Sequence, residues 1–347
     1  MLKKILSLIM ILVIMSGILV SYNKNVIRTS ASVIEGEPVK VGVLLNNYDD
    51  YYVALIRKGL EEIQKENESK VQYSFFDGKG SQDIQNSQLD QLLQKKEFNL
   101  LLLNLVDQGN TKYVIDRIKE LNIPVLFFGG TDIDSIKSYN KAYWIGTNPT
   151  EGGIKQGELI VDLWNSNKKN IDRDNDNIMQ YIMLQGPSTN TYAIERTKHS
   201  ILTINNAGIK TQELASQVCN WSEEEAKNVT KTLFLKLGTK IEVIIANNDS
   251  MAMGAIKALQ EYGYNNGDKA NTISVIGFDG IPEAQDLIKK GFMTGTVIQE
   301  PYDSSKALYA VGMNLVYNKP PTTGTEYQLD DTGVLIILHY KGMTINR

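Results

Sequence analysis

Apolar and polar positions alternate in two periods along this chain, and the switch between them is regular. VKVGVLL over 39–45 is a continuous apolar run, the pattern of a strand buried on both faces. The next stretch, 51–66, sets Val53, Ile56, Leu60 and Ile63 at helical spacing. Strands over 71–76, 99–103 and 124–128 then alternate with helices over 82–95 and 110–121. The same alternation starts again at 143–146. It runs through a helix over 150–166, strand 179–185, helix 190–207, strand 241–246, helix 249–262, strand 273–277 and helix 281–290. Residues 294–299, a helix over 303–317 and a last strand over 333–338 complete it. Strand followed by amphipathic helix predicts right-handed βαβ units and parallel sheets. Two successive runs predict an α/β fold of two similar lobes rather than one large sheet. Asn-Gly at 266–267 and Pro-Pro at 320–321 mark surface turns.

The first 37 residues follow another pattern. Lys3 and Lys4 precede ILSLIMILVIMSGILV over 5–20, a run without charge. A short positive segment before an apolar run is the layout of a secretory signal. Sixteen helical residues span about 24 Å, slightly less than a hydrocarbon core of about 30 Å. The run reads as a cleaved export signal or a short uncleaved anchor, and either places the body outside the cytoplasm. No cysteine follows it, so there is no lipid-attachment box. The segment carries a net +2, which leaves −6 for the remainder of a chain of 347 residues with net charge −4. An acidic body is a poor match for a phosphate backbone, and no nucleic-acid partner is expected. One cysteine, Cys219, excludes a disulfide within the chain. With only His199 and His339 beside it, a zinc site is hardly possible.

Two constellations carry chemistry. Asp172, Asp174, Asp176 and Gln180 stand at positions 1, 3, 5 and 9 of a loop, with the Ile178 carbonyl at position 7. That is the oxygen pattern of a calcium-binding turn. Asn177 replaces the usual Gly at position 6, and Met183 stands where a bidentate Glu is expected, so the loop alone also reads as an acidic surface turn. The second constellation is the set of polar residues after the strands: Asp49 and Asp50, Gly129 and Gly130, Asn247, Asn248 and Asp249, Asp279, and Gln299. Ligands of open α/β sheets sit beyond the carboxyl ends of strands. Carboxylates and amides suit vicinal hydroxyls, and Tyr52 and Trp221 could stack on a sugar ring. Each such residue singly could be a helix N-cap, which is the better reading for Asp249. No nucleophile–base pair, nucleophile elbow or P-loop is present, so an enzyme is not expected.

VGVLLNNYDDYY, NLVD (104–107), IPVLFF, the DxDxD loop, ERT (195–197), IEVIIANNDSMAMGA and VIGFDGIPEA resemble the galactose/glucose-binding proteins, extracytoplasmic receptors of bacterial ABC sugar importers. The resemblance covers roughly 38–338. Two of these segments are shared with ribose-binding receptors, and the calcium loop narrows the match. The resemblance implies two Rossmann-like lobes of the periplasmic-binding-protein type I fold, joined by a three-segment hinge near Thr147–Asn148, Gln299 and Thr332–Val334. The first lobe would hold 38–147 and 300–332, the second 148–299 and 333–347. It implies Ca2+ held by Asp172, Asp174, Asp176, the Ile178 carbonyl, Gln180 and Glu242. It implies a sugar site of Asp50, Tyr52, Asn190, Arg196, Trp221, Asn248, Asp279 and Gln299. Four positions depart from the family: Gly129 for Asn, Asn190 for His, Tyr192 for Asp and Gln299 for Asn. They predict a monosaccharide, with hexose favoured, and an altered specificity. The partner is an ABC permease or, in a second reading, a membrane sensor kinase. A monomer is expected, with membrane contact only through the N-terminal segment. A repressor core is set aside, since the residues before Val39 are too few and too apolar for a helix-turn-helix module.

Overall fold

The computed structural model describes residues 36–345, with side chains to 341, so the export-signal or anchor expectation lies outside the described residues. The first run is β1 (Val39–Leu45), α1 (Tyr51–Glu66), β2 (Val71–Asp77), α2 (Gln82–Lys95), β3 (Leu100–Leu103), α3 (Thr111–Lys119), β4 (Val125–Phe128), α4 (Ile133–Lys137) and β5 (Ala142–Thr147). The second is α5 (Pro149–Ile171), β6 (Ile178–Gln185), α6 (Thr191–Asn206), β7 (Lys210–Val218), α7 (Glu223–Leu237), β8 (Val243–Ala246), α8 (Asp249–Gln260), β9 (Ser274–Asp279), α9 (Pro282–Lys289) and β10 (Gly295–Ile298). Then follow α10 (Pro301–Val316), β11 (Leu335–Leu338) and β12 (Gly342–Ile345).

The strands form two six-stranded sheets, ordered β11-β5-β4-β3-β1-β2 and β12-β10-β9-β8-β6-β7. Both contain the same doubly wound order, in which the first strand lies between the second and the third. The strand order reverses beside β1 and β6, and that switch point opens a crevice at the carboxyl ends. Each sheet is buried on both faces, because alternate side chains enter different apolar clusters. Leu44, Leu101, Leu103, Phe127 and Trp144 lie on one face of the first sheet. Val43, Leu45, Leu100, Leu102 and Phe128 lie on the other. Ile182, Leu184 and Ile244 oppose Tyr181, Met183 and Ile245 in the second.

The strand LIIL corrects the expected lobe boundary. It pairs parallel with β5, from Leu335 opposite Trp144 to Leu338 opposite Thr147, and so belongs to the first sheet. Only β12 joins the second sheet, antiparallel to β10. The third crossing therefore lies between Leu338 and Gly342, not at Thr332–Val334. An apolar run states that a strand is buried but not in which sheet. Two elements within 208–240 also lie outside the sequence reading. β7 is an edge strand, with a register shift against β6 at Tyr181/Ile182 and no fully buried residue, so its apolar signal is weak. Behind it, α7 buries Ala226, Thr230 and Phe234 at four-residue spacing.

Candidate functional site

The ends of β1, β3, β4 and β5 in the first lobe face those of β6, β8, β9 and β10 in the second. Asp50 follows β1 and caps α1, its Oδ1 accepting from the Val53 N–H at 3.1 Å. Burial pushes its carboxyl up, against hydrogen bonds from Val53, Asn46 and Tyr52. Tyr52, in the first turn of α1, has its hydroxyl 3.5 Å from Ser304 Oγ of α10. Burial raises this phenol strongly; the Ser304 hydrogen bond lowers it, and the charges of Asp279 and Arg196 in the second lobe act on it in opposite directions.

Arg196 is the centre of the second lobe's contribution. Its Nη1 donates to the Asn247 carbonyl at 2.9 Å and lies 3.7 Å from Asp279 Oδ1. The guanidinium carbon stands 3.5 Å from the centroid of the Phe278 ring, a desolvated cation–π contact. Its Nε is buried and has no partner among the described residues. A buried N–H without an acceptor is rare in a native fold, and here it belongs to the guanidinium whose Nη1 lies 3.7 Å from Asp279. Asp279 ends β9 with φ at +119°, a strained conformation for a side chain with a Cβ. Its Oδ1 accepts from Gln299 Nε2 at 2.6 Å. Burial holds its carboxyl well above the usual range. Arg196 opposes that shift, and Asp249 and Asp50 add to it.

The remaining predicted residues have partners within the protein. Asn190 caps α6, its Oδ1 accepting from Tyr192 and Ala193 N–H groups. Asn248 caps α8 through the Met251 N–H at 2.9 Å, and its Nδ2 donates to the Trp221 carbonyl at 3.3 Å. The expected cap, Asp249, is instead the buried residue after it. Its carboxylate accepts from the Gly280 and Ile281 N–H groups and from Thr296 Oγ1, tying α8 to the β9–α9 turn. Gln299 joins Asp279 to Thr147 Oγ1, which donates to its Oε1 at 3.4 Å. Trp221 has a left-handed backbone, φ +64°, and its ring covers Gly186, where a Cβ would lie 2.4 Å from the indole. It packs against apolar clusters of both lobes.

Gly129, a departure from the family pattern, has φ +77°, and a Cβ there would lie 2.2 Å from Asn104 Nδ2. Asn104 donates to the Phe128 carbonyl at 2.9 Å and was not singled out by the sequence, although it ends the LLLL strand as Asn247 ends VIIA. Gln108 also went unnoticed. Thr191 Oγ1 donates to its Oε1 at 2.7 Å, across the cleft.

The 172–180 loop gathers the carboxylates of Asp172, Asp174 and Asp176 so that one oxygen of each lies within 4.8 Å of the others. Asn177 takes φ +64°, so it adopts the left-handed turn that Gly serves in such loops. Glu242, just before β8, grips the loop's backbone. Its oxygens accept from the Arg173 N–H at 2.8 Å and the Gln180 N–H at 3.0 Å. Burial pushes its carboxyl up to about 7; those backbone hydrogen bonds lower it, and Asp172 and Asp174 raise it. Asp172 Oδ1 and Gln180 Oε1 are buried acceptors with no donor among the described residues. Clustered anionic oxygens with two unmet buried acceptors fit a hard cation.

A family model described as periplasmic binding protein domain matches residues 41–320. The chain belongs to that family. It is 36% identical over 311 residues to the D-galactose/methyl-galactoside binding periplasmic protein MglB of Haemophilus influenzae, covering 88% of this chain and 90% of that one. The family's fold is seen in two solved structures, each with a TM-score above 0.7. One is a periplasmic solute binding protein of Actinobacillus succinogenes with bound D-allose (TM-score 0.72, 19% identity, 89% of this chain and 98% of that chain). The other is a solute binding protein of Bacillus halodurans with bound myo-inositol (0.73, 19%, 90% and 96%). The relatives are binding proteins, not enzymes. No helix among the described residues is long and apolar enough to cross a membrane.

Proposed function

We propose that this protein is an extracytoplasmic receptor that closes its two lobes on a monosaccharide and delivers it to an ABC importer. The observation that carries the reading is the buried Arg196 guanidinium, whose Nε has no partner among the described residues and whose Nη1 lies 3.7 Å from the buried Asp279. A neutral polyol meets both needs at once. Its hydroxyls donate to carboxylates, its ring or hydroxyl oxygens accept from Arg196, and its C–H face lies on aromatic rings. A hexose is favoured by the resemblance to galactose/glucose receptors, and Tyr192 and Gly129 in place of the family's Asp and Asn remove two polar groups from the pocket. Galactose itself need not be the best ligand.

Ca2+ would be held by Asp172, Asp174, Asp176, the Ile178 carbonyl, Gln180 and Glu242, and its charge would offset the three clustered aspartates of the second lobe. The cysteine-free apolar run at 5–20 supports a second reading, a membrane-anchored sensor acting on a kinase. A mature chain whose mass shows cleavage of that run would remove it.

A thermal-shift screen of D-galactose, D-glucose, D-allose, L-arabinose and myo-inositol tests the receptor reading. A ligand at 100 times its Kd should add about 2.7 kcal/mol of stability. The Asp279→Ala variant should lose that shift while keeping its far-UV spectrum. A flat response to every mono- and disaccharide would overturn the sugar reading.

A further inference from the structure

Tyr192 belongs to the second lobe by chain order, yet its ring lies in the core of the first. It is 8% exposed and shares a cluster with Phe127, Trp144 and Leu335. Its hydroxyl donates to the Thr147 carbonyl at 3.0 Å, and its ring stands edge-on to Trp144 with centroids 6.1 Å apart. The first lobe is shaped for it. A Cβ on Gly146 would lie 2.4 Å from the Tyr192 hydroxyl, so only glycine leaves the space. Thr147 is next to the first crossing between lobes, so this contact has a short lever arm and by itself resists rotation weakly. Gln108 supplies the longer arm. It sits beyond β3, two strands further into the first sheet. It accepts from Thr191 Oγ1 at 2.7 Å and donates to the Thr189 carbonyl. Tyr51 and Leu55 on α1 add a third contact, packing against the second lobe's apolar cluster.

We propose that residues 189–192, at the start of α6, are an interlobe latch that favours the closed cleft before ligand binds. Tyr192 fixes the pivot end and Gln108 the outer end. A buried aromatic ring removed from its seat exposes both its own surface and that of Trp144, so separation of the lobes is opposed before any sugar is present. A pre-closed cleft reduces the free energy that the ligand must supply for closure. The inference rests on the receptor reading only in taking the two lobes as hinged bodies.

Small-angle scattering of the ligand-free protein tests it, so the outcome does not depend on which sugar binds. The parent should match the closed coordinates, with a radius of gyration of about 20 Å by the compact-chain scaling. Tyr192→Ala and Gln108→Ala should each expand, and the double variant more. Gly146→Ala leaves Tyr192 intact but obstructs its seat, and should expand likewise. Tyr192→Phe, which loses only the bond to Thr147, should stay close to the parent. Cooperative melts show that each variant is folded, and if Tyr192→Ala does not fold, Gln108→Ala and Gly146→Ala decide. A parent that scatters as an open molecule, or variants whose curves superimpose on the parent's, would overturn the latch.

Discussion

Stripping the cation from the 172–180 loop should weaken the second lobe, and the site's geometry sets the size of the effect. Asp172 Oδ1 and Gln180 Oε1 are buried without a donor among the described residues. A buried acceptor left unmet costs about 1–3 kcal/mol, so the pair costs about 2–6 kcal/mol that a bound cation recovers. The three aspartate carboxylates, within 4.8 Å of one another, repel in its absence and act in the same direction. Mass action gives a compatible scale, about 2.7 kcal/mol for calcium at 100 times its Kd. In a lobe of 150–250 residues each kcal/mol moves Tm by roughly 2–4 °C, so excess chelator should lower Tm by about 5–10 °C. The assay is a pair of circular-dichroism melts, in calcium and in excess EGTA, for the parent and for Asp172→Asn. The variant in calcium should melt close to the chelated parent and respond little to EGTA. A parent melt indifferent to chelator would refute the cation assignment. A chelator effect that Asp172→Asn retains in full would refute its location.

Arg196→Ala should destabilise the ligand-free protein by about 3–5 kcal/mol in urea titrations, because it leaves the buried Asp279 without a cation. Arg196→Lys should recover part of that stability but not sugar binding, since a point charge cannot replace a planar fork. Gly129→Asn, the residue of the family pattern, should cost about 1–3 kcal/mol, from a strained positive φ and a Cβ lying 2.2 Å from Asn104 Nδ2. Asp279, with its folded pKa raised by burial above 3.8, binds its proton more tightly in the native state than in the unfolded chain. Its contribution to stability is therefore present at low pH and lost as pH rises through the raised value. Urea unfolding from about pH 4 to about pH 8 should show Asp279→Asn gaining on the parent as pH rises. A difference constant across that range would show that the carboxyl titrates alike in both states.

The fold was legible where burial is two-sided. VLFF and VIIA are buried at every position and VKVGVLL at every position but Lys40, so their apolar runs are long enough to read, and the helices between carry one apolar stripe each. β7 was not legible, because KTQELASQV at a sheet edge buries too little to show a period. β11 was legible as a strand and not as a member of the first sheet, since pairing depends on the path of the chain. At the site, residue types at strand ends pointed to side chains that the structure gathers between the two lobes. What each side chain does there was not legible. Asn248 and Asp249 are neighbours with interchangeable capping chemistry, and only the turn after β9, whose N–H groups meet Asp249, separates the cap from the buried brace. Tyr192 shows the same limit, because no local pattern says that its ring will enter the other lobe.

The four departures from the family pattern make sense together with their surroundings. Gly129 leaves room for Asn104, Tyr192 occupies the space over Gly146, Gln299 bonds both Asp279 and Thr147, and Asn190 caps the helix that presents Tyr192. Polar atoms that could meet a ligand are thereby engaged inside the protein, and Asp50, Asp279 and Arg196 remain as the charged groups of the cleft. Restoring one family residue alone should therefore fail. Tyr192→Asp would leave the Thr147 carbonyl without its donor and set a carboxylate, too short to reach it, beside the buried Trp144. An unpaired buried carboxylate and an emptied aromatic seat both destabilise. The expected outcome is a lower Tm and no gain in D-galactose binding by calorimetry. A Tyr192→Asp variant that binds galactose more tightly at unchanged Tm would show that the pocket is a set of independent contacts rather than one adapted unit.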